Sequence, residues 1–128
     1  FEYMDKLQAN ASLYNQVRGV HTSVLVTQDQ HWLLAEDVGR HNTIDKLAGK
    51  AVMQGIDTTD AILLSTGRIS SEMIHKAHKL AVPIVISRTS PTSISVKMAE
   101  LWNISLIGYL RKNAMRIYTH PDRILNSI

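Results

Sequence analysis

The sequence predicts an α/β protein, a three-layer α/β/α sandwich built around a mixed sheet. Short, continuous apolar runs at 61–65, 84–86 and 104–109 are typical of strands buried on both faces. Between them lie segments with apolar residues at i, i+3, i+4 and i+7, the pattern of amphipathic helices. Ahead of this alternation, β-rich runs at 21–27 and 32–35 are joined by a short polar connection, which predicts a hairpin at one edge.

The helices are predicted from their apolar stripes and from the residues at their ends. Residues 3–14 are predicted to form the first. The second carries Ile44, Leu47 and Ala51 and ends at Gly55, a residue suited to the left-handed position after a helix.

Two further helices lie between the buried strands. One has a stripe from Met73 through Leu80 and Ala81, with Ser70 as a candidate cap and Pro83 ending the helix. The other is expected to start with Ser90 as its cap and Pro91 as its first residue, and to close at Asn103.

Composition excludes several classes of protein. The 128 residues are expected to form one domain over 1–128, since 45% hydrophobic content suits a packed core. No apolar run approaches the roughly 18 residues of a membrane span, and no secretory leader is visible. The chain begins with Phe1, which favours a missing N-terminal portion. It contains no cysteine, so thiolate chemistry within these residues is excluded.

Charge favours a small anionic ligand. The formal net charge is +3, but only 5% of the residues are aromatic, which argues against a stacking platform for single-stranded nucleic acid. Right-handed crossovers would bring the turns at 36–42, 65–71 and 87–93 to one edge of the sheet. Each turn carries an arginine, namely Arg40, Arg68 or Arg88. Arginine forks and helix N-termini both suit phosphate oxygens, so we predict an anion or nucleotide site there, with Gly67 allowing close approach.

The turn from Glu36 to Asn42 has the sequence Glu-Asp-Val-Gly-Arg-His-Asn, with charged or polar side chains at five of its seven positions. A purely structural interpretation makes Asn42 the helix cap and places Asp45 in the favourable first turn. That interpretation leaves Arg40 and His41 without a role. A hydrolase using His41 and Asp37 as a general-base pair therefore remains an alternative.

Other signals are weaker. His75 and His78 lie three residues apart, but the lysines beside them disfavour a cation, and His75 is expected on the solvated side. The His-x-Glu and Pro-Cys-x-x-Cys signature of zinc deaminases is absent from the sequence, which excludes that activity.

The run from Glu36 to Leu47 resembles the hallmark of FdhD-type formate dehydrogenase accessory proteins. Further collinear similarity is found at Gly19 to Thr22, Ser65 to Lys76, Ser90 to Ser93 and Leu106 to Arg111. The resemblance implies a cytidine deaminase-like fold and a cytoplasmic homodimer. It also implies a sulfurtransferase that passes sulfur from a cysteine desulfurase to a molybdenum bis(molybdopterin guanine dinucleotide) cofactor for formate dehydrogenase.

The family's persulfide cysteine lies in a Cys-x-x-Cys loop before the region matched here, so no catalytic residue is expected in this chain. The chain is either a C-terminal portion or a degenerate homologue, and it should bind the cofactor, or a surrogate such as GDP, without transferring sulfur. A non-enzymatic cofactor-binding module is the alternative.

The family's nucleotide segment corresponds to Tyr109, Leu110, Arg111, Lys112, Asn113 and Ala114, although Lys112 and Asn113 stand where glycine is expected. Together with the turns, this gives the remaining candidate cofactor-binding residues: Asp37, Arg40, His41, Asn42, Arg68, Ser90 and Thr92.

Overall fold

A computed structural model describes residues 21–27, 31–111 and 114–125, which form a six-stranded mixed sheet and four helices. The strands are β1 (His21–Val26), β2 (Trp32–Asp37), β3 (Ile62–Ser65), β4 (Ile84–Ser87), β5 (Ser105–Arg111) and β6 (Ala114–Ile117). The helices are α1 (Arg40–Gln54), α2 (Ser71–Lys79), α3 (Ser93–Leu101) and α4 (Asp122–Leu125). The α/β class and the mixed sheet are confirmed.

The strand order is β2-β1-β3-β4-β5-β6. β1 runs antiparallel to both of its neighbours, so β2 is parallel to β3, and β3, β4 and β5 are parallel to one another. Helices α1, α2 and α3 each connect one of these parallel strands to the next, and every step moves in the same direction across the sheet. Since such crossovers are right-handed, all three helices belong on the same face.

The two faces of the sheet hold two separate apolar clusters. The larger combines Leu25, Leu63, Val85 and Leu106 with residues of α1, α2 and α3 such as Leu47. The smaller consists of the alternate strand residues, centred on Val24, Val26, Leu64 and Leu110. Among the described residues no helix contributes to the smaller cluster, so they show two of the three predicted layers. The helix predicted over 3–14 lies outside the described residues, and the single-domain assignment stays a prediction.

Helix ends test the capping predictions. Gly55 adopts the left-handed conformation after α1, and the Ser70 hydroxyl accepts from the Met73 N–H, both as predicted. The predicted start of α3 at Ser90 is wrong, because Thr92 is its cap and accepts from the Ser95 N–H at 3.1 Å.

Helix α2 also ends earlier than its apolar stripe predicts. The helix stops at Lys79, and Ala81 takes a left-handed φ of 58°, so Pro83 lies beyond an end already made. Asn103 has a left-handed φ of 59° just after α3, which confirms the predicted stop.

The hairpin of β1 and β2 is confirmed, with Val24 opposite Leu34. The sequence prediction missed the second hairpin, in which β6 pairs antiparallel with β5. β6 is a four-residue edge strand with alternately exposed residues, so it lacks the continuous apolar run that reveals a buried strand.

Candidate functional site

The carboxyl ends of the parallel strands meet at one edge of the sheet, where the three predicted turns come together. Ser65 at the end of β3 pairs with Ser87 at the end of β4. His21 at the start of β1 pairs with Asp37 at the end of β2. This edge is the usual location of ligand sites in open α/β sheets.

The Asp37 carboxylate organises the turn at 36–42, the first of the three turns at this edge. One oxygen accepts from the Gly39 N–H at 2.9 Å and from the Asn42 side-chain amide at 3.2 Å, and the other lies 2.9 Å from the Lys46 ammonium. The Gly39 hydrogen bond, then those from Lys46 and Asn42, lower the pKa of Asp37 from 3.8 to about 2. Both carboxylate oxygens are thus engaged by groups of the turn itself, and the general-base pair with His41 stays a prediction because the side chain of His41 lies outside what the structure describes.

The cap assigned to Asn42 is wrong. Gly39 is the residue that precedes α1, and no side chain caps it. The helix starts at Arg40, and the Asn42 side chain instead donates to the Asp37 carboxylate, which also accepts from the Gly39 N–H. Asp45 lies beyond the first turn of the helix, because α1 begins at Arg40, and both of its oxygens accept from Lys76 at 2.7 Å.

In the turn at 65–71, the second of the three, Gly67 lies between His21 and Arg40. A Cβ on Gly67 would lie 3.1 Å from His21 Nδ1 and 3.3 Å from Arg40 Cβ. The expectation that Gly67 gives a ligand access to the backbone is therefore wrong, because these two side chains occupy the space. Among the described residues the buried Nε of Arg40 has no hydrogen-bond partner.

Buried hydroxyl groups hold the Gly67 peptide from both sides. Its N–H donates to the Ser65 hydroxyl at 3.1 Å, and its carbonyl accepts from the Ser87 hydroxyl at 2.6 Å. The Ser23 hydroxyl lies 2.8 Å from that of Thr43, which donates to the Arg40 carbonyl at 2.6 Å. Ser23 also donates to Ser65 at 3.3 Å. We call Ser23, Thr43, Ser65 and Ser87 the hydroxyl network. It couples the first two turns to β4.

A cationic cavity of about 410 Å³ lies at the same edge, lined by Thr66, Arg88, Thr89, Leu110 and Arg111. Leu110 belongs to the smaller apolar cluster, so the cavity adjoins the face opposite the helices. Arg111 Nη1 donates to the carbonyls of Arg88 at 2.6 Å and Leu110 at 3.0 Å, which joins the end of β5 to the third turn. The two arginines can bind anionic oxygens, whereas the Thr66 hydroxyl already bonds the Thr22 backbone and the Thr89 hydroxyl lies 3.2 Å from that of Ser87.

The other predicted residues are placed less centrally. Arg68 is exposed in the second turn, and Ala114 is exposed where β6 pairs with Arg111. The Ser90 carbonyl accepts from Ile69 at 3.4 Å, while the Thr92 hydroxyl is used in capping α3. Tyr109 immediately precedes the cavity-lining residues of β5. Lys112, Asn113 and the side chain of His41 lie outside what the structure describes.

Sequence reasoning missed Thr66 and Thr89 in the cavity, and it missed the hydroxyl network. The richness of the second and third turns in serine and threonine was the available signal. Nothing in the sequence separates hydroxyls that line the cavity from those that hold the turn, because that depends on how the three turns pack together.

The described histidines and acidic residues form no group of three or more that could hold a metal ion. His78 stacks on Trp102 with 4.4 Å between ring centroids, and His75 lies 5.8 Å from the same ring. Both histidines are exposed, and their shared neighbour is an indole ring. Across the described ranges no helix is long and apolar enough to cross a membrane.

Comparison with known proteins decides the family. The FdhD/NarQ family profile matches residues 1–125. The chain belongs to the FdhD/NarQ family. Curated relatives include the sulfur carrier protein FdhD of Halalkalibacterium halodurans, 43% identical over 98% of this chain, and that of Bacillus subtilis, 40% identical over 94%.

The fold agrees with this membership. The crystal structure of a proposed formate dehydrogenase accessory protein from Desulfotalea psychrophila matches with a TM-score of 0.86 and 30% identity, covering 95% of this chain and 52% of that one. The chain spans about half the length of its curated relatives: the match covers 46% of the Halalkalibacterium halodurans protein and 46% of the Bacillus subtilis protein.

Proposed function

We propose that this chain is the cofactor-binding part of an FdhD-type sulfurtransferase that acts in the cytoplasm on formate dehydrogenase. Its substrate would be the molybdenum bis(molybdopterin guanine dinucleotide) cofactor. The observation that carries the proposal is the cationic cavity, in which Arg88 and Arg111 flank two threonines and no carboxylate is among the lining residues.

The cavity fits part of this cofactor. Ligand pockets typically occupy about 300–1,000 Å³, so a cavity of about 410 Å³ suits one nucleotide arm. Arg111 is already oriented by two carbonyls, which lowers the entropy lost when it binds phosphate. Arg40, whose buried Nε has no hydrogen-bond partner among the described residues, adds a third arginine at the same sheet edge.

Sulfur chemistry would come from outside these residues. A thiolate is the nucleophile that accepts persulfide sulfur, and the sequence holds no cysteine. The chain would therefore bind and orient the cofactor while a cysteine desulfurase and a cysteine-bearing segment supply the sulfur. A module that only holds the cofactor is the alternative, and the absence of cysteine from the sequence favours it for the chain taken alone.

Nucleotide binding tests the proposal directly. GDP at millimolar concentration should raise the melting temperature, because a ligand that binds only the native state stabilises it. Arg111→Ala should weaken GDP binding roughly ten- to a hundredfold, the loss of a charge-assisted hydrogen bond of about 1.5–3 kcal/mol. The weakening should shrink at high salt as the phosphate contact is screened. Calorimetric titration of both variants at two salt concentrations measures this.

Lys97→Ala is the matched control, since it removes an exposed cation from α3 outside the cavity. It should bind GDP as the wild type does. An absence of heat and of any melting shift with the wild-type chain would refute the nucleotide site. Equal affinity for the wild type and Arg111→Ala would move the site away from β5.

Sulfur transfer gives an independent test. The purified chain, incubated with a cysteine desulfurase and radiolabelled cysteine, should carry no covalently bound label. A labelled chain after denaturing electrophoresis without reductant would contradict the assignment of the nucleophile to residues outside it.

A further inference from the structure

The two edge strands of the sheet, β2 and β6, differ in how their outward-facing backbone groups are bonded. An edge strand carries a row of N–H and C=O groups that another extended chain can pair with. On β2, two lysines of α1 occupy such groups. Lys46 Nζ donates to the Glu36 carbonyl at 2.7 Å. Lys50 Nζ donates to the Leu34 carbonyl, so side chains of the protein itself block the β2 edge.

The outward-facing groups of β6 belong to Met115 and Ile117. The Tyr118 N–H donates to the Leu106 carbonyl of β5 at 2.8 Å, and successive residues of an antiparallel strand direct their backbone groups to opposite sides. The groups of Ile117, and of Met115 two residues before it, therefore point away from β5. Within the described ranges, no hydrogen bond from outside the pairing with β5 reaches either residue. The β6 edge is thus open where the β2 edge is blocked.

An apolar groove adjoins the open edge, and we call it the α3 groove. Its volume is about 530 Å³, and its lining residues are Val96, Lys97, Glu100, Leu101, Tyr118 and Thr119. Tyr118 directly follows β6 and packs against the larger apolar cluster, so the groove is on the helical face of the sheet. A strand added beside β6 would direct every second side chain toward that face. The edge thus offers backbone pairing, and the groove offers apolar contact.

The charges around the β6 edge favour an acidic occupant. Arg116 of β6 and Lys97 of the groove are both exposed. Glu100 is the only acidic residue among those lining the groove, and its carboxylate lies 3.7 Å from His120 Nε2. Two copies of β6 paired antiparallel would bring their Arg116 side chains together, and like charges facing each other destabilise a pair of strands. An acidic segment therefore fits this edge better than a second copy of the chain does.

We propose that the β6 edge binds an extended acidic segment of a partner protein, which pairs with β6 as a seventh strand and places an apolar side chain in the α3 groove. In this mode of peptide binding, main-chain hydrogen bonds give affinity and contacts of alternate side chains give specificity. The inference is independent of the proposed function, since neither Met115 nor Ile117 lines the cationic cavity.

The probe is an acetylated and amidated peptide, Glu-Val-Glu-Leu-Glu-Val-Glu, in which acidic and apolar residues alternate. It should bind the 128-residue chain in calorimetric titrations, and binding should weaken as the salt concentration rises. Hydrogen exchange followed by NMR should be slower at the Met115 and Ile117 N–H groups when the peptide is bound, because these groups would then donate to it. The same peptide with lysine at each glutamate position should not bind.

Two methylated peptides test the pairing itself without any change to the protein. One carries N-methyl groups on its odd-numbered residues and the other on its even-numbered residues. Because the N–H groups of a strand alternate in direction, one pattern removes the donors that face β6 and the other removes those that face solvent. One peptide should lose affinity by at least about tenfold, and the other should bind like the parent peptide.

Three variants of the chain complete the test, each shown by circular dichroism to be folded. Ile117→Pro removes an N–H that points away from β5, so the pairing with β5 survives while peptide binding should be lost. Arg116→Ala should weaken binding roughly 2- to 5-fold, as expected for one exposed ion pair. Lys79→Ala, the matched control, removes an exposed cation from α2 and should bind the peptide as the wild type does.

The outcomes decide the proposal. Equal affinity for the two methylated peptides, or unchanged exchange at Met115 and Ile117, would mean that charge alone holds the peptide, and the added strand would be refuted. Absence of binding between the acidic peptide and the wild-type chain would refute it as well. Neither result bears on the nucleotide titrations, so failure of this proposal is distinct from failure of the cofactor site.

Discussion

The hydroxyl network and the cationic cavity lie at the same edge of the sheet, yet they are built in opposite ways. In the network Ser23, Ser65 and Ser87 are fully buried, and each of their hydroxyls has a partner. In the cavity, Thr89 and Arg111 are exposed. Buried polar groups that are satisfied make a structure rigid, whereas exposed cations remain available to a ligand. The network therefore fixes the turns, and the cavity is the region in which we propose that the cofactor binds.

Ser87→Ala should give the largest effect, and it should be on stability. The variant leaves the Gly67 carbonyl and the Thr89 N–H, which bond Ser87 at 2.6 and 3.0 Å, without their partner. Each buried group left unsatisfied costs about 1–3 kcal/mol, so we expect a loss of about 2–4 kcal/mol in the free energy of unfolding. Urea denaturation measures it.

Ser93→Ala is the control for that experiment, because Ser93 is an exposed serine at the start of α3. Its free energy of unfolding should change by less than about 0.5 kcal/mol. If Ser87→Ala proves equally mild, the network does not hold the turn and the contrast between the two regions fails.

Gly108→Ala should destabilise the protein, because the residues behind the cavity are closely packed. A Cβ at Gly108 would lie 2.9 Å from the Thr89 carbonyl oxygen and 3.0 Å from Pro91 Cδ, so the backbone must shift. Overpacking of this kind costs about 1–3 kcal/mol. Thermal unfolding measures the loss.

The matched substitution is Gly49→Ala in α1, where nothing lies within 4 Å of the added methyl group. It should raise the free energy of unfolding, by up to about 1 kcal/mol, because alanine favours the helix. Similar melting temperatures for the two variants would show that the backbone around Thr89 accommodates the added methyl group at little cost in stability.

Asp37→Asn should give the smallest effect and one that depends on pH. Because the folded pKa is about 2, below the usual 3.8, the charged Asp37 contributes stability above about pH 4 that is lost as the pH falls toward 2. The difference in stability between wild type and Asp37→Asn should therefore be largest at neutral pH and shrink across that window.

Denaturation at several pH values between 2 and 7 provides the measurement, with Asp60→Asn as a control at an exposed aspartate. A difference that grows on acidification would mean that Asp37 is not stabilised as an anion. In that case the first turn would not share the rigidity of the hydroxyl network.

The sequence by itself determined the class of the fold and the edge of the sheet at which the arginine-bearing turns lie. Apolar runs and amphipathic stripes depend on local periodicity, so the buried strands and the helices that join them were predictable. Parallel strands joined by right-handed crossovers then had to place the turns of Arg40, Arg68 and Arg88 together. The family resemblance, carried by the run from Glu36 to Leu47, was confirmed.

Only the tertiary structure decided what each residue in those turns does. Gly67 is packed by His21 and Arg40, which are distant from it in sequence. Asn42 does not cap α1 but donates to the Asp37 carboxylate, because the bend at Gly39 brings these two side chains together. The hydroxyls of Ser87 and Thr89 lie 3.2 Å apart, yet Ser87 ends β4 and is buried in the network, whereas Thr89 lies in the turn beyond it and lines the cavity. That difference depends on how the turns pack around the strand ends, which brings together residues that are distant in sequence and which local periodicity does not specify.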